Sequence, residues 1–294
     1  MKFLMLFTIA FPLTIILYEN INRTYLQQQQ PQARSHVHQK STPKKNYKVN
    51  TPFTLPPNQP LPLIYVQGGS FDMGSTGLDE GPIHHVRLSS FYISKYEVTE
   101  AQWKAVTGEK IPQYSKEDCD SCAVEASYHE TEDFLLKLKH QTGQNYRFPT
   151  EAEWEYAARG GNQSKGYTYS GSDILDEVGY DDDERDFMRK GKPVGHKKPN
   201  ELGIYDMSGN LAEWCSDLYD EQYYSYSPVD NPKGSYRETV EVDNNGRHLL
   251  IVIRGGSRRT TGRNAASYDL QRNVDPIGIR VIVGQKKTLG VSVY

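Results

Sequence analysis

Apolar residues in the central part of the chain recur at helical spacing within short segments, and this spacing predicts helices. Phe134, Leu135 and Leu138 follow it, with lysines on the other side, so we expect a helix over residues 130–140. A second helix is predicted over residues 99–106, where a threonine precedes the periodic segment and a glutamate and a glutamine lie near its start. The pattern therefore places two helices before residue 141.

A third helix is marked by its own start and stop residues. Thr150 followed by Glu153 is a capping box, in which side chains satisfy free N–H groups of the first turn, and Gly160 and Gly161 end the helix. The glutamates at 151, 153 and 155 would also suit paired acid–base catalysis. Because capping and the helix dipole already account for acids in the first turn, we expect structural hydrogen bonding instead.

Strand signals cluster in the C-terminal third of the chain. Residues 238–242 and 248–253 flank an Asp-Asn-Asn-Gly sequence, and Asn and Gly tolerate the positive φ angles of tight hairpin turns. This pattern predicts a β-hairpin. Elsewhere, short strand candidates are joined by long loops and do not alternate with helices as βαβ units would. The pattern is therefore one of short strands, long loops and a few helices.

The first 60 residues differ in character from the rest. An apolar run over residues 3–18 follows a lysine and predicts a signal peptide or membrane anchor over residues 1–25; a buried core element is the alternative. No cysteine lies near the end of this run, which argues against a bacterial lipoprotein anchor. Residues 26–60 have almost no large apolar side chains, so we expect a disordered polar linker. A domain over residues 61–286 and a tail over 287–294 complete the chain.

Charge divides the chain at the same point. Residues 1–60 hold seven Lys or Arg and one acid, a net charge of about +6, and the whole chain carries −3, so the remainder carries about −9. Because nucleic-acid binding needs clustered Lys and Arg, we expect no nucleic-acid partner for this acidic body. The N-terminal segment predicts an exported protein that is periplasmic, cell-surface or secreted, and that is anchored in the membrane where the segment is not cleaved.

Three cysteines limit the redox and metal chemistry of the chain. Cys119 and Cys122 form a Cys-x-x-Cys pair in a short acidic segment, which fits a structural disulfide, a redox dithiol or half of a zinc site. A redox dithiol would normally open a helix after a strand, and zinc needs a second ligand pair that the chain lacks. We therefore favour the disulfide. Cys215 follows a tryptophan in an apolar segment and is expected to be a small buried side chain.

Five sequence blocks occur in the order typical of one known family. They are GGSFDMG (68–74), FYISKYEVT (91–99), YRFPTEAEWEYAARGG (146–161), NELGIYDMSGNLAEW (200–214) and RGGS (254–257). In these blocks the chain resembles the formylglycine-generating enzyme family, also called the sulfatase-modifying factor family, over about residues 62–284. The resemblance implies a C-type-lectin-like α+β fold with many irregular loops.

The resemblance also shows what the chain lacks. Oxidases of the family convert a sulfatase cysteine to formylglycine with molecular oxygen and a copper(I) ion, which is held by two cysteines beyond the Gly-Gly-Ser sequence. The matching positions here are Thr260 and Ala265. Soft thiolates select copper(I), and neither a hydroxyl nor a methyl group replaces them. We therefore expect no bound copper and no formylglycine-generating activity by that mechanism.

A structural calcium ion is implied by the block over residues 200–214. Family enzymes bind calcium there through one side-chain oxygen and several backbone carbonyls. The ligands here would be the Asp206 side chain and the carbonyls of Met207, Gly209 and Leu211. The alternative is a tight turn in which Asp206 caps its own backbone. A run of acids at 181–184 lacks regular ligand spacing, so we expect a solvated loop there.

Polar and locally basic residues follow the Gly-Gly-Ser block. In the family this region forms the walls of the substrate groove, and in some relatives it is the recognition surface of a binding protein. Arginine suits bidentate capture of carboxylate or phosphate, so charge predicts an acidic peptide or anionic glycan as the ligand. The alternative is that these side chains simply cover a surface. The candidate binding residues are Ser257, Arg258, Arg259, Thr260, Arg263, Asn264, Tyr268 and Arg272.

Three functions are compatible with the sequence. We favour a non-catalytic, exported member of the family that binds a protein or glycan partner or serves as an envelope component. The second is a formylglycine-generating or related metal-dependent oxidase with ligands other than the cysteine pair. The third is a structural subunit of a surface assembly.

Overall fold

The computed structural model describes residues 61–77, 80–109, 112, 119–180, 191–243, 246–256, 259–267 and 277–284. The predicted N-terminal segment (1–25), linker (26–60) and tail (287–294) lie outside these residues, as does the acidic run at 181–184. No helix in the described part of the chain has the length and apolar character needed to cross a membrane.

Three helices begin with a complete capping box, which explains why they start where they do. Helix α1 spans Glu100–Thr107, α2 spans Tyr128–Thr142 and α3 spans Glu151–Ala158. In each, a Ser or Thr hydroxyl accepts the N–H three residues on, while the Glu or Gln at that position accepts the N–H of the cap. The predicted helices are confirmed, but α2 starts two residues early because Ser127 is its cap. A short helix, α4, covers Leu175–Val178.

Eleven strands are found in the described residues. They are β1 Leu63–Val66, β2 Gly69–Met73, β3 His84–Leu88, β4 Phe91–Ser94, β5 Tyr146–Arg147, β6 Gly209–Leu218, β7 Val240–Asp243, β8 Gly246–Gly256, β9 Arg263–Ser267, β10 Ile277–Gly278 and β11 Ile282–Gly284. Strands β7 and β8 pair in antiparallel register, so the predicted hairpin is confirmed. The tip at residues 244 and 245 lies outside the described residues.

The strands form three sheets. One has the order β1-β4-β11-β5, the second has the order β10-β6-β8-β7 with β9 also paired to β8, and β2 pairs with β3. Pairing is antiparallel except between β10 and β6. Strand β8 is the longest and pairs with three neighbours, so it organises the second sheet. Its C-terminal end carries the Arg-Gly-Gly sequence.

Two clusters of buried side chains form the core. Trp154 on α3 belongs to one and Trp214 on β6 to the other, and both are 0 % exposed. Each indole N–H has an acceptor: Trp154 Nε1 donates to Glu213 at 2.6 Å, and Trp214 Nε1 donates to the carbonyl of Ala126 at 2.9 Å. Buried tryptophans need such partners, so these bonds fix both rings. Helix α3 contacts β6 and β8, which places its polar residues beside the end of β8.

Candidate functional site

The start of α3 carries a buried acid that reaches two strands. Glu151 is 1 % exposed, and its Oε1 accepts hydrogen bonds from Tyr224 Oη at 2.9 Å, Arg254 Nη1 at 2.9 Å and Arg263 Nε at 2.8 Å. Arg254 and Arg263 lie directly opposite each other on β8 and β9, where like charges repel. One glutamate shared by both arginines therefore stabilises the pairing of the two strands.

One helical turn later, Glu155 binds the other side of Arg254. Its Oε2 accepts from Arg254 Nη2 at 2.7 Å, and its Oε1 accepts from the Gly74 N–H and from Arg159 Nε, both at 2.9 Å. Arg254 Nη2 also donates to the carbonyl of Thr260 at 2.6 Å. A buried arginine thus ties α3 to the turn that follows β8. The expectation that the acids of α3 make structural hydrogen bonds is confirmed.

Charge pairing dominates this cluster. Burial raises the pKa of Glu151, but the charges of Arg263 and Arg254 outweigh burial and hold that pKa below its ordinary value. Within the described residues, Glu151 Oε2, Arg254 Nε and Arg263 Nη2 are buried without a hydrogen-bond partner. A buried polar atom without a partner lowers the stability of the folded state. The cluster is therefore held together by the hydrogen bonds and ion pairs of its other atoms. Arg263 also stacks on Tyr219 and Tyr224, at 4.6 and 4.8 Å from the ring centroids.

A further buried acid lies at the N-terminus of α3. Asp217 on β6 accepts the N–H of Glu151 at 3.0 Å and the hydroxyl of Ser216 at 3.1 Å. Burial and the charge of Glu151 raise the pKa of Asp217 to about 7. Asp217 is therefore partly protonated near neutral pH, which lessens its repulsion of Glu151.

A second buried ion pair joins the C-terminal segment to β6. Glu213 and Arg280 are both 0 % exposed. Arg280 donates from Nε and Nη2 to the Glu213 carboxylate over 2.7 to 2.9 Å. The guanidinium also donates to the carbonyls of Ser94 and Tyr205, each at 3.0 Å. Arg280 therefore joins β4, β6 and the segment before β6.

Two more acids lie close to this pair. Glu97 is 1 % exposed and accepts from the N–H of Leu211 at 3.1 Å and from the side-chain amide of Asn210. Burial raises the pKa of Glu97 well above its ordinary range, and the charges of Glu213 and Asp206 raise it further. Burial also raises the pKa of Asp206. Three buried carboxylates thus depend on one arginine, and their full ionisation is disfavoured.

The turn that begins at Asp206 is irregular. Asp206, Gly209 and Asn210 have φ angles of 59°, 99° and 59°, and a register shift against β8 takes part of the turn out of the strand ladder. Asp206 Oδ2 accepts from the N–H of Gly195 at 2.7 Å, whereas Oδ1 is buried without a partner in the described structure. The alternative in which Asp206 caps its own backbone is therefore not observed.

Comparison with known domains assigns the family. The domain described as "Sulfatase-modifying factor enzyme 1-like domain" matches residues 48–284, which is most of the chain. This chain belongs to that family. The suspected relationship to the formylglycine-generating enzymes is confirmed.

Relatives of this sulfatase-modifying factor chain carry different names. The chaperone protein LppX of Paenibacillus barcinonensis is 34% identical over 199 residues, which cover 52% of this chain and 70% of LppX. A formylglycine-generating enzyme of Streptomyces coelicolor is 35% identical over 123 residues, 38% of this chain and 35% of the enzyme. The serine/threonine-protein kinase Pkn1 of Chlamydia trachomatis is 29% identical over 209 residues, 61% of this chain but only 33% of the kinase. The chain thus spans about a third of the latter two proteins.

A solved structure shows the same fold. Treponema denticola variable protein 1 superposes with a TM-score of 0.64 at 22% identity, covering 76% of this chain and 95% of that protein. The predicted formylglycine-generating-enzyme-like α+β fold is confirmed.

Thr260 and Ala265, the positions that the resemblance matches to the copper-binding cysteines, lie in the turn after β8 and on β9. Thr260 is 2 % exposed, and its N–H donates to the carbonyl of Thr168 at 3.2 Å while its carbonyl accepts from Arg254. Ala265 lies opposite Val252 in the β8–β9 pairing. Thr260 is therefore a buried turn residue whose backbone polar groups are both bonded.

All three cysteines of this sulfatase-modifying factor domain lie elsewhere. A disulfide joins Cys119 and Cys122, with their Cα atoms 5.3 Å apart. Cys215 is free and 0 % exposed, as expected of a small buried side chain. Burial raises the pKa of the Cys215 thiol well above its ordinary value, so it stays protonated.

Of the eight predicted binding residues, the structure describes four, which separate into an exposed and a buried pair. Arg259 and Asn264 are exposed. Thr260 and Arg263 are 2 % and 5 % exposed and belong to the interior, which differs from the predicted polar surface. The physical reason is Glu151, a buried acid that draws the Arg263 guanidinium inward. The others lie outside the described residues: Ser257, Arg258, Tyr268 and Arg272.

Sequence reasoning did not single out the buried charges Glu97, Arg254 and Arg280. A usable signal was present for the two arginines, because Arg254 follows an apolar run and precedes two glycines, and Arg280 lies between apolar residues near a glycine. A lone ionisable residue in such a segment has to find an opposite charge when the segment folds into the core. The sequence does not say which charge.

Proposed function

We propose that this chain is a non-catalytic, exported member of the sulfatase-modifying factor family that acts as a binding or envelope-structural module. The state of its cysteines carries the proposal. Cys119 and Cys122 are joined to each other, and Cys215 is fully buried with a raised thiol pKa. The family's oxidase chemistry needs two thiolates that hold copper(I) within reach of a substrate. None of these cysteines meets that requirement.

Binding would use the outer side of the turn after β8. Arg259 and Asn264 are exposed there, while Thr260 between them in sequence is anchored by Arg254. Arg259 makes no ion pair within the described residues, so its guanidinium is open to an acidic peptide or an anionic glycan. The relative LppX supports a non-catalytic role, because it is named a chaperone protein.

Export is part of the proposal. Disulfides persist in oxidising compartments such as the periplasm, the cell surface and the medium, and are rare in the cytosol. The Cys119–Cys122 bond fits such a compartment. The predicted N-terminal segment would deliver the domain there, and would anchor it where the segment is not cleaved.

An oxidase assay tests the proposal. The purified protein is loaded with copper(I) and incubated with a sulfatase-type cysteine peptide, and mass spectrometry follows the peptide thiol. We expect no conversion to the aldehyde, because no thiolate pair is available to hold the metal. A formylglycine-generating enzyme is the positive control. Conversion faster than with copper alone would overturn the proposal in favour of the alternative, an oxidase that uses other ligands.

A structural calcium ion at the Asp206 turn is a second part of the proposal. Within the described residues, no group of three or more His, Cys, Asp or Glu side chains is placed to hold a metal. Calcium does not need one, because backbone carbonyls are good ligands for it. The buried, unpartnered Oδ1 of Asp206 fits a hard cation, with the carbonyls of Met207, Gly209 and Leu211 as the other protein ligands.

Calcium should therefore raise the thermal stability of the protein. A concentration about 100 times the dissociation constant adds about 2.7 kcal/mol to the free energy of unfolding of the state that binds it. We expect the melting temperature in calcium to exceed that in chelator, and Asp206→Ala to abolish the difference. Asp133→Ala, which removes an exposed acid from α2, should keep it. An equal calcium effect in Asp206→Ala would show that the ion binds elsewhere.

A further inference from the structure

The loop formed by residues 226–237, here called the Tyr236 loop, begins with a tyrosine that is fixed by hydrogen bonds. The hydroxyl of Tyr226 donates to Asp220 Oδ2 and lies 2.8 Å from Ser235 Oγ. Ser235 Oγ in turn donates to the same Asp220 oxygen at 2.9 Å. These bonds hold the Tyr226 ring in one orientation and leave its face as a platform.

Arg237 lies on this platform. Its guanidinium carbon is 4.7 Å from the centroid of Tyr226 and 5.9 Å from the centroid of Tyr236. Within the described residues, the Arg237 side chain has no ion pair and no hydrogen bond. A guanidinium has five N–H donors. The guanidinium lies within cation–π distance of the Tyr226 ring, and its N–H groups have no acceptor among the described residues.

Asp220, the acid of the same network, makes no direct ion pair with Arg237, although the two charges attract each other. The Asp220 carboxylate is 7 % exposed and already accepts from Tyr226, from Ser235 and from the N–H of Gln222 at 2.9 Å. Its oxygens are therefore occupied by neutral donors. Within the described residues the Arg237 guanidinium therefore has no direct protein acceptor, and a ligand or water can supply one.

The Tyr236 loop is anchored to β3 although it is irregular. Arg87 donates its N–H to the carbonyl of Val229 at 2.7 Å and accepts from the N–H of Asn231 at 2.8 Å. The Asn231 side chain accepts from the N–H of Ser89 at 2.7 Å. On this anchored loop, the side chain of Tyr236 is 80 % exposed. Exposed Tyr and Arg on a preorganised loop are the residues that dominate many binding sites.

We propose that Tyr236 and Arg237 form a binding site for a carboxylate-bearing sugar, such as a uronic acid unit of a glycan. The inference rests on the proposed function of the chain as a binding module, and it adds a site outside the surface of Arg259 and Asn264. The sugar carboxylate accepts two parallel N–H bonds from the guanidinium fork. The negative face of the Tyr236 ring attracts the partly positive C–H groups of the sugar ring.

The size of the site favours a sugar over a protein surface. A stable protein partner buries about 800 Å² on each side. The exposed aromatic side chain here is Tyr236, since the ring of Tyr226 already contacts Arg237, and the neighbouring Lys233 and Glu238 are exposed and polar. Such a surface matches one ring-sized unit that carries a single anionic group.

Titration with a short oligogalacturonate tests the proposal, with the purified full-length protein and calorimetry as the readout. We expect binding of the free acid and about tenfold weaker binding of its neutral methyl ester, because the ester loses the charge-assisted bonds. Arg237→Gln and Tyr236→Ala should each weaken binding by about tenfold or more. Lys233→Gln removes a nearby exposed cation that is not stacked, and should change binding by less than about twofold.

Further variants show whether the guanidinium fork itself holds the sugar carboxylate. Arg237→Lys keeps the charge but loses the planar fork, so it should bind between the parent protein and Arg237→Gln. Equal melting temperatures of parent and variants would show that the fold is intact, as expected for exposed residues. Unchanged binding in Arg237→Gln, or equal affinity for an oligoglutamate peptide of the same charge, would refute the sugar site. Loss of binding in Arg259→Gln alone would move the ligand to the turn after β8, and would leave the proposed function intact.

Discussion

Replacement of Arg254 by Met should destabilise the protein by about 3 to 5 kcal/mol. The guanidinium is 1 % exposed and bonds to both Glu151 and Glu155. Without it, Glu155 keeps Arg159 as its one cationic partner among the described residues, and the carbonyl of Thr260 loses a donor. Buried carboxylates that lose their cation carry the full desolvation cost of burial. Chemical denaturation of parent and variant, with the free energy of unfolding extrapolated to water, measures the loss.

An exposed arginine pair provides the matched control. Arg87 binds Asp230 in a bidentate ion pair whose side chains are 62% and 59% exposed. Solvent screens such a pair, so Arg87→Met should cost much less than Arg254→Met. If the two variants lose the same free energy of unfolding, burial does not make the Arg254 ion pairs more stabilising than an exposed pair. A double-mutant cycle with Glu155→Gln would then show whether Arg254 and Glu155 are coupled at all.

Local signals in the sequence predicted the helices and the hairpin well. Thr150 and Glu153 lie three residues apart, and their capping box forms as predicted. The start of α2 was placed too late because its first turn carries few apolar side chains, and only the box of Ser127 and Glu130 marks it. The two residues of a capping box lie three positions apart, so both partners can be recognised in the sequence.

The buried charges could not be predicted in the same way. Glu151 and Glu155 lie 103 and 99 residues before the arginine that they share. A hydrophobic pattern treats each of these residues as polar and therefore places it outside. Arg263 was expected on a binding surface because it lies in a polar, basic segment that forms the groove walls in the family, although the fold puts it against Tyr219 and Tyr224. Only the packing of α3 against β8 and β9 shows that opposite charges meet in the core.

The hydrogen bonding of Asp206 also could not be predicted from neighbouring residues alone. The sequence offered a calcium ligand or a self-capping turn as equal alternatives, and both use only residues of the turn itself. Asp206 instead accepts a hydrogen bond from the N–H of Gly195, eleven residues earlier. That contact leaves one carboxylate oxygen buried without a partner in the described residues. A self-capping bond of Asp206 is therefore not observed in the described structure, and the calcium site stays a proposal.

Replacement of Arg280 by Met should lower stability by about 3 to 5 kcal/mol at pH 8, and by less at pH 5. Arg280 is the cation of a site that holds Glu213, Glu97 and Asp206, and the pKa values of Glu97 and Asp206 are already raised. Without the arginine, the pKa of each carboxyl in the folded state should rise further above its unfolded value. The folded state then binds more protons than the unfolded state, so stability falls as pH rises through this window. Unfolding curves at both pH values measure the difference.

The pH dependence distinguishes unpaired buried charges from a simple packing defect. A cavity left by a lost side chain costs the same at pH 5 and pH 8, whereas unpaired carboxylates regain stability by taking up protons at the lower pH. One pKa unit corresponds to about 1.4 kcal/mol, so a rise of one unit in a single carboxyl is measurable. Arg87→Met is again the control, because Arg87 pairs with Asp230 and their side chains are 62% and 59% exposed. This variant should lose a small free energy of unfolding that does not depend on pH. If Arg280→Met loses the same free energy at both pH values, Arg280 stabilises the protein by packing alone.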